Sequence, residues 1–198
     1  MARSVPRLYI HLMALIRRQP KLVGEKVELR RHRRENYRLY GEWYADPEVW
    51  RLTSWAAAPP TPASVEQLYR DREASKTEVS FAIHPRGERT PVGVISLMNI
   101  SEANGSAELS VIIGPPAERH RGYGSDAIST LVRYGFEELG LNRVGLSVFE
   151  FNETAISAYK RLGFREEGRL RGALKRDGAF HDAILMATLK EDRASRPR

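Results

Sequence analysis

The chain contains no cysteine. That excludes disulfides, a thiol nucleophile and any thiolate-bound metal, and it removes the feature that argues most directly for secretion. Long apolar runs are missing too. No stretch approaches the ~20 residues of a membrane-spanning helix, and the nearest, Leu8 to Ile16, is broken by His11. Arg3 and Arg7 precede that run in the manner of a signal peptide, but Arg17 and Arg18 stand where a small-residue cleavage site belongs. Residues 1–20 are therefore expected to be an added basic N-terminal arm, helical or mobile, or the product of an early start with Met13 as the alternative. Histidine is scarce, and His11, His32, His84, His120 and His181 share no metal-ligand spacing. Isolated histidines of this kind are expected to be structural or on the surface. A GK[ST] sequence is also lacking, which removes a Walker A phosphate loop.

What is present suits one domain. The 198 residues are 41% hydrophobic and 29% charged, enough to build a core and too apolar for a disordered chain. The net charge of +7 is unevenly spread: residues 1–38 hold 11 Lys/Arg against three acids, leaving 21 bases and 22 acids in the rest. A basic end can touch nucleic acid, anionic lipid or a cofactor phosphate, or be a solvated arm. No zinc-finger spacing or helix-turn-helix supports a DNA-binding reading. The expected division is an arm over 1–20, a domain over 21–190 and a basic tail over 191–198.

Periodicity and turn residues predict the elements. A strand is expected over 26–30, then a helix over 33–44 with Leu39, Tyr40 and Trp43 on one side. The Ala56–Pro62 segment is a breaker-rich loop, and a helix starting at Thr61 or Ser64 runs to about Ala74. Strands over 79–84, 91–98 and 107–113 are joined by short turns, Asn104-Gly105 among them, so they are read as consecutive antiparallel strands. A helix over 122–139 ends at Gly140; a strand over 143–149 and a helix over 153–162 ending at Gly163 follow. Strands over 164–170 and 180–189, with Asp177-Gly178 between them, close the sheet. The order is that of an α+β layer rather than regular βαβ alternation.

The chemistry concentrates in Glu108 to Ser125. A strand runs into a Pro115-Pro116 loop that delivers Arg119, Arg121, Gly122 and Gly124 to a helix start. Unpaired amides and the positive end of the helix dipole favour an anion there, glycine allows its close approach, and arginine can hold a phosphate bidentately. The segment is suited to a pyrophosphate; read by itself, it also fits a tight turn with surface arginines. Gly122-x-Gly124-x-x-Ala127 fits the dinucleotide fingerprint only superficially. The strand ends near Ile113, nine positions early, and no acid lies near position 144.

Arg119-x-x-Gly122-x-Gly124 resembles the [QR]-x-x-G-x-[GA] acyl-CoA motif of the GNAT N-acetyltransferase superfamily. Asn152-x-x-Ala155-x-x-x-Tyr159-x-x-x-Gly163-Phe164 is similar to that family's second block at a fitting separation. The likeness covers about Lys21 to Lys190, and Arg176 to Asp182 resembles the branch of Rim ribosomal-protein and spermidine acetyltransferases. It implies a GNAT fold: a mixed, mostly antiparallel twisted sheet of about seven strands and about four helices, with a V-shaped splay between two parallel central strands, Glu108–Ile113 and Arg143–Phe149. It also implies acetyl-CoA as co-substrate and no metal. Backbone groups of Ile112, Ile113 and Gly114 would pair with the pantetheine arm, and amides of His120, Arg121, Gly122, Tyr123, Gly124 and Ser125 would take the pyrophosphate. Asn152 would hold the cofactor, with Ala155 beside it. The Ile113 amide would polarise the thioester carbonyl.

The reaction needs a deprotonated amine, a donor for the developing oxyanion and a proton for the leaving thiolate. Tyr159 occupies the family's general-acid position, two helical turns beyond Asn152; the other reading is a core tyrosine. Glu108 matches, by its distance from Arg119, a base glutamate of some protein-acetylating relatives, or is an exposed strand-start residue. The position five before the asparagine, a base in other branches, is Ser147 here. Trp43, Tyr44, Trp50 and Trp55 could wall the acceptor pocket but are expected mainly in the core, while Glu42, Asp46 and Glu48 would attract a cationic amine or be solvated. The leading expectation is acetylation of a protein or peptide N-terminal amine in a ternary complex. The alternatives are a small amine (polyamine, aminoglycoside, amino sugar or amino acid) and a non-catalytic acyl-CoA-binding or RNA-interacting module. Expected partners are acetyl-CoA, the amine acceptor, a ribosomal protein or peptide as that acceptor, and a second copy in a homodimer. No membrane span is expected, and the expected location is cytoplasmic.

Overall fold

Short turns and β-rich runs build one continuous sheet in the computed structural model, which describes Ile16 and residues 19–194. The strands are β1 (Leu22–Val23), β2 (Val27–Arg30), β3 (Val79–Pro85), β4 (Gly93–Ser101), β5 (Ser106–Ile113), β6 (Arg143–Phe149), β7 (Arg165–Arg176) and β8 (Ala179–Leu189). Their spatial order is β1-β2-β3-β4-β5-β6-β8-β7. All neighbours are antiparallel except β5 and β6, which run parallel. The helices are α1 (Tyr37–Ala45), α2 (Pro47–Thr53), α3 (Pro62–Ala74), α4 (Tyr123–Glu137), α5 (Glu153–Arg161) and α6 (Lys190–Ala194).

Each face of the sheet is covered by helices that offer apolar residues at helical spacing. On one face, α4 presents Ala127, Ile128, Leu131 and Val132 to Val27, Phe81, Leu97 and Val144, with Ala155, Ile156 and Tyr159 of α5 packed alongside. On the other face, Tyr37, Tyr40 and Trp43 of α1 and Val65 and Tyr69 of α3 pack on Ala82, Val94 and Ile112. A buried polar chain ties that second layer to the sheet. His32 contacts the Tyr40 hydroxyl (3.1 Å) and Ser80 Oγ (2.8 Å), and Ser80 Oγ reaches Ser96 Oγ (2.7 Å). Burial pushes the His32 pKa down to about 3, so it stays neutral.

The structure departs from the predicted elements in several places. A separate helix, α2, follows α1. Asp46 accepts from the Glu48 and Val49 amides (2.9 and 3.0 Å), and Pro47 occupies the first turn, where its missing N–H costs nothing. Residues 34–36 form a 3₁₀ turn rather than the start of α1. Strand β7 runs on to Arg176, because the register shift between Leu170 and Leu174 absorbs Gly172 at φ +57. The two-residue β1 makes the eighth strand. The expected arm lies outside the described residues except Ile16, which is 2% exposed in the main core, and residues 19 and 20. The first residues of the expected tail form α6, where Arg193 donates to the Ser129 carbonyl (3.2 Å); residues 195–198 lie outside the described residues.

The start of α4 is fixed to the sheet edge by one carboxylate. Asp126 accepts the amides of Glu25 (3.1 Å), Lys26 (2.8 Å) and Val27 (2.9 Å), and it also sits favourably in the first turn of the helix. Asp126→Ala is expected to cost about 1–2 kcal/mol and lower Tm by a few degrees in calorimetric unfolding. Asp126→Asn, which keeps one acceptor oxygen, loses less.

Candidate active site

The parallel pair β5–β6 lasts three rungs, Ser106–Arg143, Ala107–Val144 and Glu108–Gly145. Beyond Glu108 the strands part. Strand β5 stays on β4 as far as Ile113, and β6 stays on β8 as far as Phe149, so neither end is loose. The gap is a cleft of about 680 Å³. One wall is β5 from Leu109 to Ile113, the other is Ser147–Phe149 of β6 with α5, and the loop into α4 closes the outer end.

Gly122 begins α4 at φ +85, a left-handed conformation costly to a residue with a Cβ, and it gives no side-chain cap to the first-turn amides. Gly122, Tyr123, Gly124 and Ser125 all line the cleft. A Cβ on Gly124 would meet only Ile113 Cγ1, at 3.6 Å. The cradle therefore has the open backbone that a pyrophosphate needs.

Of the residues singled out in the sequence, the cleft brings together Ile112, Ile113, Arg119, His120, Gly122, Tyr123, Gly124, Ser125, Asn152, Ala155 and Tyr159. Three lie off it. Gly114 sits behind β5 against Trp43, whose ring atoms stand 2.2 Å from where a Cβ would project, so only glycine fits there. Arg121 turns outward, stacks 5.0 Å over Tyr123 and pairs with Glu118 (2.6 Å). Glu108 is exposed at the last parallel rung and accepts from Asn99 Nδ2 (3.1 Å). It shares a face with Ser110, which lines the cleft about 7 Å further along the strand.

Arg119 is already engaged. Its Nε and Nη2 donate to the carbonyls of Ile113 (3.3 Å) and Gly114 (2.8 Å), and its Nη1 pairs with Glu48. Asn152 is engaged likewise: Oδ1 accepts the Ala155 amide (3.2 Å), capping α5, and Nδ2 donates to the Leu52 carbonyl (3.3 Å). Tyr159, its ring tilted at 60° to Phe164 with centroids 5.6 Å apart, has its pKa pushed up to about 12 by burial. It therefore remains a proton donor throughout the neutral range.

The sequence named Glu48 and Trp55 as acceptor-site candidates, and both line the cleft, but it did not show the separate helix that forms the inner side of the mouth. Helix α2 contributes Glu48, Val49, Leu52 and Thr53 to the cleft. Of the aromatic cluster, Trp43 is buried at 5% exposure, as expected for core, but Trp55 is 51% exposed and packs edge-on against Phe149 at 4.9 Å. Phe149, Phe151 and His181 continue the strip (5.6 and 5.0 Å). The Asp46-Pro47 pair was the one sequence signal for α2. Among the described residues, no group of three His, Asp or Glu stands together as metal ligands would.

The acetyltransferase (GNAT) domain model matches residues 26–165, and the chain belongs to that family. The spermidine N(1)-acetyltransferase of Escherichia coli (strain K12) is 31% identical over 165 residues, covering 82% of this chain and 86% of its own. A Bacillus subtilis protein named "Putative ribosomal N-acetyltransferase YdaF" is 37% identical over 100 residues, 50% of this chain and 54% of its own. The structure of spermidine N-acetyltransferase from Vibrio cholerae in complex with CoA and spermine has the same fold (TM-score 0.79, 23% identity), covering 87% of this chain and all of that one. The chain is thus an acetyl-CoA-dependent N-acetyltransferase.

Gly124→Trp places a large side chain in the cradle without entering the core. Calorimetric titration is expected to show acetyl-CoA binding in the wild type and none in the variant, with Tm unchanged within a degree or two.

Proposed function

We propose that the acceptor is the N-terminal amine of a protein or peptide, a ribosomal protein included, attacked directly in a ternary complex with acetyl-CoA. The observation that carries this reading is the state of the acids at the cleft. Among the described residues the cleft is lined by three glutamates, of which Glu48 is paired with Arg119 and Glu118 with Arg121, leaving Glu153. Beyond the mouth, Glu150 and Asp182 share Arg169 (3.0 and 3.1 Å) and Asp177 holds Arg51 (2.9 Å). A polycation would find little free carboxylate there. The exposed Trp55 and the half-buried Phe151, resting on the buried Phe149, suit the apolar side chains of a peptide instead.

The proton balance supports the same acceptor. An α-amine titrates near 8, so about a tenth of it is free base at neutral pH, whereas an aliphatic amine with pKa about 10 is nearly all protonated. A cleft with few free carboxylates suits the first. The proposed step forms the N–C bond and breaks the C–S bond. Tyr159 gives its phenolic proton to the departing sulfur and is reprotonated from solvent. The Ile113 amide donates to the developing oxyanion. Glu108, on the Ser110 face, takes the amine proton through water. A small-amine acceptor is the second reading, favoured by the 31% identity to a spermidine acetyltransferase. The basic arm, a homodimer and a cytoplasmic setting, where acetyl-CoA is available, belong to the proposed reading.

A peptide with a free N-terminus, the same peptide N-blocked, and spermidine are compared as acceptors at equal concentration. Acetylation of the free peptide alone is expected; preference for spermidine overturns the assignment. Tyr159→Phe is expected to lower kcat about 10²-fold with the KM for acetyl-CoA little changed. Because the Tyr159 pKa is raised to about 12, kcat/KM is expected to rise with deprotonation of the amine up to about pH 8 and to hold level through pH 10. A fall between pH 8 and 10 argues against Tyr159 as the acid.

A further inference from the structure

Helix α2 is hung between the two cofactor motifs. Val49 is its only buried side chain. On the side away from the cofactor motifs, Arg51 is held by Asp177 (2.9 Å) and Trp50 lies under the Arg176 guanidinium (3.7 Å). Polar and cation–π contacts to the closing hairpin, rather than apolar packing, hold that side. At its N-terminus, Glu48 pairs with Arg119, and the capping Asp46 lies 3.9 Å from the same guanidinium. At its C-terminal end, the Leu52 carbonyl takes the Asn152 amide (3.3 Å). Both partners have a second attachment on the cofactor side: Arg119 to the Ile113 and Gly114 carbonyls, Asn152 to the first turn of α5. Between these two ends, α2 supplies Val49, Leu52 and Thr53 to the wall of the cleft next to Trp55.

We infer that Arg119 and Asn152 are the two linkages through which the cofactor site positions α2, with Glu48 as the positioning residue. In this arrangement acetyl-CoA in the cleft tightens the acceptor wall. A ligand that fixes the end of β5 and the start of α5 also fixes both supports of α2. Glu48 is well exposed (64%) and Arg119 is not (16%), so the pair is a modest, breakable contact placed where it can transmit occupancy. The coupling is reciprocal: whatever acetyl-CoA contributes to acceptor affinity, the acceptor returns to acetyl-CoA. This rests on the cleft being the acetyl-CoA site.

The test needs no acceptor. Hydrogen–deuterium exchange of residues 47–54 is followed with and without CoA, in wild type and Glu48→Gln, with CoA affinity measured on the same proteins by calorimetry. In wild type, CoA is expected to slow exchange in 47–54 at least about fivefold, within the usual range of coupling between sites. In Glu48→Gln, CoA still binds and still protects 113–125, but the slowing in 47–54 is largely lost. A variant that merely loosened α2 would exchange faster in both states and keep the CoA-dependent ratio. That result, or a wild-type α2 indifferent to bound CoA, overturns the coupling. Failure of wild type to bind CoA at all overturns the assignment of the cleft itself.

Discussion

Everything at this site depends on two parallel strands ceasing to pair. After the Glu108–Gly145 rung, β5 and β6 expose backbone edges to each other across a gap. Unpaired backbone groups are costly when buried, so a gap of this kind persists only where something fills it or water reaches it. Each strand tolerates the separation because its opposite edge stays fully paired, β5 to β4 and β6 to β8. The divergence therefore does not fray the sheet. It yields a cleft with rigid walls, into which an extended ligand can bring its own amides.

The outer end of that cleft is made of glycine, while the nearby charges are turned to other work. Gly122 and Gly124 leave the α4 terminus bare, and Asp126 ties the same turn to the first strands. The arginines that look like phosphate ligands in the sequence are committed elsewhere, Arg121 to Glu118 and Arg119 to β5 and Glu48. What this turn presents at the cleft is backbone amides and the positive end of the helix dipole, with the Lys26 ammonium held beside it on the Arg121 carbonyl (3.1 Å). The arginines set the shape of the loop that presents those amides.

Much of this was legible in the chain. The antiparallel run β3–β4–β5 followed from short turns, and α4 and α5 followed from apolar residues at helical spacing and the glycines that stop them. The two motif blocks pointed to the loop and to Tyr159, and the cleft does gather both. Helix α2 was harder to see. With seven residues and one buried side chain, it has almost no amphipathic signal, only the Asp-Pro start. Trp55 was indistinguishable in sequence from Trp43. One is buried against Gly114 and the other stands open beside Phe149, because Trp43 lies on the sheet-facing side of α1 and Trp55 in the loop after α2.

The sequence by itself determined the α+β class, because that rests on local spacing: alternation in strands, the helical repeat, and glycines where the backbone must turn. Its two motif blocks carried the resemblance that implied the family and the cofactor. Only the tertiary structure decided how the charged groups are spent. Whether Glu48 is free to draw in a cation, whether Arg119 faces a phosphate, and whether Glu108 borders the cleft depend on partners up to 71 positions away in the chain. Apart from neighbours such as Glu118 and Arg121, these ion pairs are made by proximity in space, and no periodicity along the chain records them.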